Sequence, residues 1–449
     1  MKKITQGVLT PSKSVFSRSL LAASIVAACG FGAATHANAT AALAAYNANP
    51  ALVSVSGLSS GGFMAAQLGI AYSGTFKQGF GVFAGGPDDC ARAQSYTACM
   101  YNGTPSISSP DANIKSWSGT SNEDSLSNLA SRQIYLWTGS ADTTVGPNVV
   151  AQLKSQLSSY YTAANFTEVT TSGAIHTFPT NFSGSGDNSC SSSVSPYISN
   201  CTYDGSGAVL QWMYGSTKLN APNTGTLGGT VVTFDQTKFL TGNGMDSIGY
   251  LYVPAACATG STVCGVHLAV HGCLQGEKEI GMDYVNNTGY NKWADTNNII
   301  VIYPQAVEDS TSHSTPGNGS VANPNGCWDW IGWYGSNFDE KGGVQMAALV
   351  AMVNQVTSGY KGGSTTTTAG GTTTTTAHGT TTTTTTTTTS NAYTQTASAT
   401  VTNHYIAGRI NVTQYNILGA EYGYNTTITL YYCPSLSGWT NHSNCAPLS

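Results

Sequence analysis

The pattern of apolar and polar positions in residues 40–361 predicts one large α/β domain. Continuous β-rich runs, of the kind found in the buried strands of a sheet, occur together with runs that favour helices. The strand-like runs are residues 51–55, 134–138, 166–170, 247–253, 266–270 and 299–303, and the helical runs are residues 62–68 and 344–356.

Ser59 is the centre of the one Gly-x-Ser-x-Gly match in the chain, at residues 57–61, between a strand-like run and a helix-forming run. This is the layout of a nucleophile elbow, in which a sharp strand-to-helix turn exposes the serine hydroxyl and the glycines let neighbouring backbone pass close by. An ordinary turn is the alternative, because the chain has 51 glycines. The flanking runs favour the elbow, and we therefore predict that Ser59 is the nucleophile of a serine hydrolase.

The position of this elbow near the start of the domain is unusual. In an ordinary α/β hydrolase several strands and the oxyanion loop precede the nucleophile. Only residues 40–58 precede Ser59 here, which is enough for one strand. The runs at 247–253, 266–270 and 299–303 can supply the missing strands. We therefore predict a circularly permuted α/β hydrolase.

The other members of a catalytic triad are expected after Ser59, in the order Ser, Asp, His. Asp142 follows the run 134–138, which places a carboxylate at the carboxyl end of a strand; a turn or cap role is the alternative. His176 follows the run 166–170 and is the best candidate base among the eight histidines, the alternative being a buried structural role. His176 would take the Ser59 proton while Asp142 orients the imidazole.

An oxyanion requires two preorganised N–H donors. One is expected from Ser60, the residue after the nucleophile. The second is expected from Cys273, because residues 271–274 follow the run 266–270 as the oxyanion loop of esterases follows its strand.

The cysteines predict disulfides. Eleven are present, and Cys29 lies in the N-terminal leader, which leaves an even number in an exported chain. The short spacings favour Cys90–Cys99, Cys190–Cys201, Cys257–Cys264 and Cys433–Cys445, which leaves Cys273 for Cys327. This last bridge would hold the oxyanion loop against the aromatic segment 327–334, which would then line the cleft. A zinc site is the alternative, but the sequence has no C-x-x-C pair and no clustered histidines.

The N-terminus indicates export. Lys2 and Lys3 precede the apolar stretch 20–28, and small residues lead to a cleavage site after Ala39, so residues 1–39 are typical of a secretory signal peptide. A membrane anchor is the alternative, but the stretch is short and rich in small residues. We expect the mature protein to be extracellular, unattached to a membrane and monomeric.

Low charge excludes one class of partner. Only 8% of the residues are charged and the net charge is -5, so nothing resembles the basic surface that binds nucleic acid. A surface of Ser, Thr, Asn, Gly and Tyr suits adsorption to a neutral, insoluble material better than attraction to an ion. No cofactor and no metal are predicted.

The C-terminal part of the chain is organised differently. Residues 362–390 are almost pure threonine and predict an extended linker without a core. The tyrosine-rich residues 391–449 predict a small, mainly-β module, with strand-like alternation at 426–432. We interpret the module as a substrate-binding domain; tyrosines that only build a small core are the alternative.

Together these features resemble the extracellular poly(3-hydroxybutyrate) depolymerases. The resemblance is carried by the Gly-Leu-Ser-Ser-Gly-Gly sequence at 57–62, the His-Gly-Cys loop at 271–273, the Cys-Trp pair at 327–328, the threonine-rich linker and the motif at 403–409. The similarity is to the class in which the oxyanion loop lies C-terminal to the lipase box.

The resemblance implies an exported esterase that adsorbs to insoluble polyester granules through its C-terminal domain and cuts the polymer into short hydroxybutyrate oligomers. The residues that it implies are the triad Ser59, Asp142 and His176, the oxyanion donors Ser60 and Cys273, the polymer contacts Trp330 or Trp333, and the binding-domain residues His404 and Arg409.

Two other functions remain open. An exported feruloyl or acetyl esterase with a carbohydrate-binding tail would share the elbow and the aromatic module, and hydrolysis of feruloylated xylan rather than polyester granules would identify it. A non-catalytic surface-binding protein would hold Ser59 in an ordinary turn, and a serine-directed phosphonate would then leave it unlabelled.

Overall fold

The computed structural model describes residues 40–182, 184 and 187–362 and, towards the C-terminus, residues 395–406, 409, 410, 414, 418, 422, 426–433 and 438–442. The predicted signal peptide and all of the predicted linker except residue 362 lie outside these residues. The described strands, numbered along the chain, are β1 (Ala48–Leu58), β2 (Gly79–Phe83), β3 (Gln133–Gly139), β4 (Phe166–Thr171), β5 (Phe178–Thr180), β6 (Asn188–Ser189), β7 (Ile198–Asn200), β8 (Thr230–Asp235), β9 (Ile248–Val253), β10 (Cys264–Val270), β11 (Ile299–Tyr303), β12 (Asp309–Thr315), β13 (Gly319–Asn323), β14 (Gln395–Thr400), β15 (Thr427–Cys433) and β16 (Gly438–Thr440). The described α-helices are α1 (Ser60–Ala71), α2 (Ser108–Trp117), α3 (Pro147–Leu157), α4 (Gly205–Tyr214), α5 (Ala255–Ala258), α6 (Glu277–Ile280), α7 (Asp283–Asn287), α8 (Tyr290–Asn297), α9 (Val344–Thr357) and α10 (Val401–Ile406).

Eight strands form the central sheet, in the order β4-β3-β2-β1-β10-β11-β9-β8. Six neighbouring strands are parallel to one another: β4, β3, β2, β1, β10 and β11. Strand β9 is antiparallel to both of its neighbours, β11 and β8. Half of the sheet therefore comes from residues before 172 and half from residues after 229. The two halves meet where β1 pairs with β10, with Gly57 opposite Val270.

Both faces of this sheet are covered. Successive side chains of a strand point to opposite faces, so the fully buried neighbours Leu136 and Trp137 belong to two different apolar cores. Helices α1 and α9 contribute Leu68 and Val353 to the first core, and helices α4 and α8 contribute Leu210 and Trp293 to the second. Burial on both faces explains the continuous apolar runs of the sequence. The predicted α/β architecture is confirmed.

Disulfides close four loops of this body. The bridges are Cys90–Cys99, Cys190–Cys201, Cys257–Cys264 and Cys273–Cys327. These four predicted pairings are therefore confirmed. The fifth predicted pairing, Cys433 with Cys445, involves a residue outside the described part of the chain and remains a prediction.

The described residues after 394 form a three-stranded antiparallel sheet, in the order β14-β15-β16, with helix α10. Val401, Ile410, Leu418 and Leu430 form a small buried cluster there. Throughout the part of the chain that the structure describes, no helix has the length and apolar character needed to cross a membrane.

Candidate active site

Ser59 lies in a tight turn between β1 and α1, with φ 57° and ψ −120°. A residue other than glycine in this region carries strain of roughly 1–3 kcal/mol, which the surrounding structure must offset. The Ser59 amide donates to the Phe83 carbonyl at 2.9 Å, and the Ser59 carbonyl accepts from the Phe63 amide at 2.9 Å. The turn therefore has the backbone geometry expected of a nucleophile elbow.

The glycines around Ser59 are required by close backbone contacts. A Cβ atom on Gly57 would lie 2.3 Å from the Gly61 carbonyl oxygen, and one on Gly61 would lie 2.3 Å from the Val270 oxygen. A Cβ atom on Gly62 would lie 2.9 Å from the Phe83 oxygen. Since the obstructing atoms belong to the backbone, a side chain at these positions would push the elbow away from β2 and β10.

Asp142 and His176 form a buried acid–base pair. Asp142 follows β3, and its Oδ2 accepts from His176 Nδ1 at 2.9 Å. Its Oδ1 accepts from the amides of Thr144 at 2.8 Å and Val145 at 3.1 Å. Burial disfavours the charged carboxylate, but the hydrogen bond and charge of His176 and the two amides outweigh it and lower the Asp142 pKa. An ionised Asp142 holds the proton on Nδ1 and leaves Nε2 available as a base.

The loop after β10 lies against the elbow. Because β1 and β10 are parallel neighbours, the residues that follow them meet at the same edge of the sheet. A Cβ atom on Gly272 would lie 3.3 Å from the Ser59 Cβ. Ser60 is the first residue of α1, so its amide has no acceptor within that helix. No described residue accepts from the Cys273 amide either. Two amides next to Ser59 are thus free to bind an oxyanion.

An aromatic cleft of about 550 Å³ contains these groups. Trp330 stacks on Phe63 with ring centroids 4.3 Å apart, and the Trp333 indole donates to the Ala322 carbonyl at 3.2 Å. The predicted site residues that line the cleft are Ser59, Ser60, His176, Cys273, Trp330 and Trp333. Asp142 lies behind His176 with 1% of its surface exposed. The structure therefore brings together the seven predicted residues of the main body.

No protein-family model matches the chain. The polyhydroxybutyrate depolymerase of Talaromyces funiculosus is 64% identical over 324 residues, which are 72% of this chain and 95% of that relative. This chain belongs to the polyhydroxybutyrate depolymerase family. The poly(3-hydroxybutyrate) depolymerase of Delftia acidovorans is 41% identical over 357 residues, which are 78% of this chain and 68% of that relative. A solved serine-to-alanine variant of a PHB depolymerase, complexed with an R3HB trimer, matches with a TM-score of 0.70 and 63% identity over 71% of this chain and 100% of that one.

The cleft of this depolymerase family member depends on a carboxylate that the sequence analysis missed. Asp329 Oδ1 accepts from the amides of Gly332 at 2.7 Å and Trp333 at 2.9 Å, and its Oδ2 accepts from the Tyr334 amide at 2.9 Å. Burial raises the Asp329 pKa to about 6, although these amides favour the carboxylate. Asp329 thus orders the backbone that carries the cleft tryptophans. Its place between two tryptophans was the only signal in the sequence.

Two further residues with roles that the sequence analysis missed are His271, the first residue of the oxyanion loop, and Gln275, which follows the loop; both are fully buried. Gln275 Oε1 accepts from the Gly272 amide at 2.7 Å, and its Nε2 donates to the Pro196 carbonyl at 2.9 Å. His271 was recognised only as part of the His-Gly-Cys motif, and the contacts of His271 with the Ala306 amide and of Gln275 with the Pro196 carbonyl join residues that are distant along the chain.

In the C-terminal part of this family member, His404 and Arg409 are close to each other but their side chains differ in environment. His404 is fully buried, and its Nε2 lies 3.0 Å from the Ile428 carbonyl oxygen. Burial lowers the His404 pKa. The Arg409 guanidinium lies 5.8 Å from the centre of the Trp439 ring. The structure therefore places the His404 side chain in the interior, and the role of His404 and Arg409 in substrate binding remains a prediction.

Proposed function

We propose that this chain is a secreted serine esterase that hydrolyses poly(3-hydroxybutyrate) to short 3-hydroxybutyrate oligomers through an acyl-enzyme. One observation carries the proposal: a strained serine, a histidine paired with a buried carboxylate and two unpaired amides meet in a single aromatic cleft. The relatives named as polyhydroxybutyrate depolymerases, and the relative complexed with an R3HB trimer, support the choice of polyester as the substrate.

In the acylation half of the reaction, the Ser59 hydroxyl attacks an ester carbonyl carbon of the polymer. His176 Nε2 accepts the hydroxyl proton, and Asp142 stabilises the imidazolium that forms. The carbonyl oxygen becomes an oxyanion, which the amides of Ser60 and Cys273 stabilise. Collapse of the tetrahedral intermediate breaks the ester bond, and the departing 3-hydroxyl oxygen takes the proton from His176.

In the deacylation half, water replaces the departed alcohol. His176 takes a proton from the water, whose oxygen attacks the acyl carbon on Ser59. The second tetrahedral intermediate collapses to a carboxylic acid, which ionises, and the proton returns from His176 to the serine oxygen. The products are two shorter chains, one with a new hydroxyl end and the other with a new carboxylate end.

The lining of the cleft suits an uncharged polyester. None of the described residues that line it is Lys, Arg, Asp or Glu, and Phe63, Trp330 and Trp333 provide flat apolar surfaces. A repeat of methyl, methylene and ester groups gains from apolar burial and needs no charged partner. The relatives give no support to a feruloyl or acetyl esterase, or to a non-catalytic binding protein.

The proposal includes the organisation of the chain. Residues 1–39 are the signal peptide, 40–361 the catalytic domain, 362–390 the linker and 391–449 the substrate-binding domain. Four disulfides in the described residues support export, because such bridges persist in oxidising compartments. The four strands on one side of β1, which are β10, β11, β9 and β8, all follow the elbow in sequence, and this order supports a circular permutation. We place His404 and Arg409 in the substrate-binding domain, where buried His404 would shape the module and Arg409 lies nearer its surface.

Clearing of a polyhydroxybutyrate suspension tests the proposal. Ser59→Ala should lower the rate of clearing by at least about 10⁴-fold, because a triad without its nucleophile loses most of its catalytic power. Ser155→Ala, on the exposed face of α3, is the matched control and should clear the suspension at the rate of the unaltered protein. Substantial clearing by the Ser59 variant, or none by the unaltered protein, would contradict the proposed function.

A further inference from the structure

Hydrogen bonds hold the amides on both sides of the Cys273 amide. The Gly272 amide donates to Gln275 Oε1 at 2.7 Å, and the Leu274 amide donates to the Asn325 carbonyl at 2.8 Å. Leu274 also has φ 59°, which is an unfavourable value for a residue with a side chain. Of these three successive amides, only that of Cys273 has no acceptor among the residues described. The loop is therefore built to leave one donor free.

The imidazole of His271 makes a third contact with this loop. Its Nδ1 lies 2.7 Å from the Gly272 carbonyl oxygen, and its Nε2 accepts from the Ala306 amide at 3.0 Å. A nitrogen that accepts from an amide carries no proton, so the proton of the neutral ring is on Nδ1. His271 Nδ1–H therefore donates to the Gly272 carbonyl, which also accepts, over a longer distance of 3.3 Å, from the Gln275 amide.

The Gly272 carbonyl and the Cys273 amide belong to the same peptide unit. The unit is planar and trans, so its C=O and N–H bonds point in opposite directions. A donor that holds the carbonyl oxygen on one side therefore holds the N–H on the other side. The bond also polarises the unit, which makes the N–H a stronger donor.

We propose that His271 is a positioning residue of the hydrolysis, which orients the Cys273 amide towards the oxyanion by donating from Nδ1 to the Gly272 carbonyl. The inference rests on the proposed function only in taking the Cys273 amide as an oxyanion donor. His271 itself touches neither the substrate nor Ser59 in this role.

The surroundings of His271 keep the ring neutral and in place. The ring packs 5.3 Å from Trp328 and 6.0 Å from Tyr284, measured between ring centres, and is fully buried. Burial lowers the His271 pKa to about 4, against the opposing effect of the bond to Gly272. The Trp328 amide donates to Ser60 Oγ at 3.3 Å. Trp328 thus contacts both the His271 ring and Ser60, the residue that supplies the other proposed oxyanion donor.

Two substitutions test the hydrogen bonds of the two His271 nitrogens separately. Asn places an N–H near the position of Nδ1, so His271→Asn can keep the bond to Gly272 and loses the bond from Ala306. Gln places an oxygen near the position of Nε2, so His271→Gln can keep the bond from Ala306 and loses the one to Gly272. On p-nitrophenyl butyrate, His271→Gln should lower kcat by about 10- to 100-fold with little change in KM, as expected when an oxyanion donor is poorly held. His271→Asn should retain kcat within about fivefold.

Affinity for an alkylboronic acid, which forms a tetrahedral adduct with an active serine, should follow the same order as kcat. Asn165→Ala is the control for lost stability. It removes buried bonds to the Leu129 and Arg132 carbonyls at the opposite edge of the sheet, and it should leave kcat unchanged. Equal losses of kcat in the two His271 variants, or a loss that Asn165→Ala reproduces, would overturn the inference.

The tautomer of His271 provides a test that needs no substitution. Nitrogen NMR of the ¹⁵N-histidine-labelled protein should show His271 protonated on Nδ1 and unprotonated on Nε2. An Nε2–H tautomer would rule out the bond to Gly272 and with it the inference. A failure of the proposed function would instead appear as polymer that remains intact, whatever the tautomer and the kcat ratio on the soluble ester.

Discussion

The bridge between Cys273 and Cys327 should support catalysis beyond its contribution to folding. The double substitution Cys273→Ala and Cys327→Ala removes the link between the oxyanion loop and the aromatic segment of the cleft. The proposed donor is a backbone amide, so both substitutions leave it chemically intact. Only the firmness with which the loop holds this amide changes. We expect kcat to fall while KM changes little, since a donor that acts on the oxyanion contributes mainly in the transition state.

The size of the effect follows from the contacts that remain. Loss of a whole oxyanion donor costs about 3–4 kcal/mol of transition-state stabilisation. The Leu274–Asn325 and Gly272–Gln275 bonds still hold the loop, so we expect a smaller loss of about 1–2 kcal/mol, or about 5- to 30-fold in kcat. The bridge joins residues 54 apart, and chain entropy predicts a loss of about 4 kcal/mol in the free energy of unfolding.

A second bridge provides the control. Cys257 and Cys264 are 7 residues apart, and Cys264 begins β10 at the edge opposite the cleft. Removing that pair should cost about 2.5 kcal/mol of stability and leave kcat unchanged. Urea unfolding would measure the two stabilities, and hydrolysis of p-nitrophenyl butyrate at 25 °C would measure kcat while all variants are folded. Unaltered kcat in the Cys273 and Cys327 variant, or equal losses of kcat in both variants, would refute the reasoning.

Three further predictions concern separate parts of the chain. Truncation after Tyr360 should leave the rate on soluble esters unchanged and reduce granule binding and clearing by about tenfold or more, as measured by sedimentation and turbidity. Burial and neighbouring carboxylates raise the Glu123 pKa from 4.5 to about 10. Between pH 4.5 and pH 10 the folded protein keeps a proton that the unfolded chain loses, so the free energy of unfolding falls as the pH rises through this range. Glu123→Gln should therefore raise Tm at pH 7 by several degrees but not at pH 4, whereas Glu168→Gln, at a partly exposed ion pair, should change it little. Gly61→Ala should cost about 3 kcal/mol or more in the free energy of unfolding and abolish turnover. Gly225→Ala is the control, because a Cβ atom there would have one side-chain atom nearby, at 3.5 Å; it should change the stability and the turnover little.

Local features of the site could be predicted from the sequence because their causes are local. The elbow combines a strand, a glycine-flanked serine and a helix within about twenty residues, and each part has its own signal. The short spacings of eight cysteines also limited their partners, and the even number then left Cys273 for Cys327, a pairing that the structure contains. The positions of Asp142 and His176 followed from the strands that precede them.

Other elements could not be predicted because distant contacts determine them. Strand β2 contains Gly79 and Gly81, which weaken its β propensity, yet Cβ atoms there would lie 1.9 Å from the Gln133 oxygen and 2.4 Å from Val209 Cγ2. The two glycines thus allow β2 to pack closely against β3 and α4. The role of His271 is equally hidden, since its Nε2 accepts from the Ala306 amide, which only the folded chain brings near. Asp329 bonds to amides only three to five residues further along the chain, but the burial of its carboxylate depends on the rest of the fold. The burial of His404 could not be anticipated from its short motif.

The alignment of β1 with β10 shows how such distant contacts support the site. Residues 53–58 of β1 and all of β10 are buried on both faces, so alternation of apolar and polar residues does not distinguish one register from the next. A buried polar cluster distinguishes the registers instead. His267 Nδ1 lies 2.7 Å from Ser54 Oγ, and its Nε2 lies 2.8 Å from Ser56 Oγ. A shift by one residue would bury these polar groups without partners, at a cost of roughly 1–3 kcal/mol each. The same register sets Gly57 opposite Val270 and so brings Ser59 beside the loop of Cys273. A buried polar cluster outside the cleft therefore helps to determine where the proposed nucleophile meets its proposed oxyanion donor.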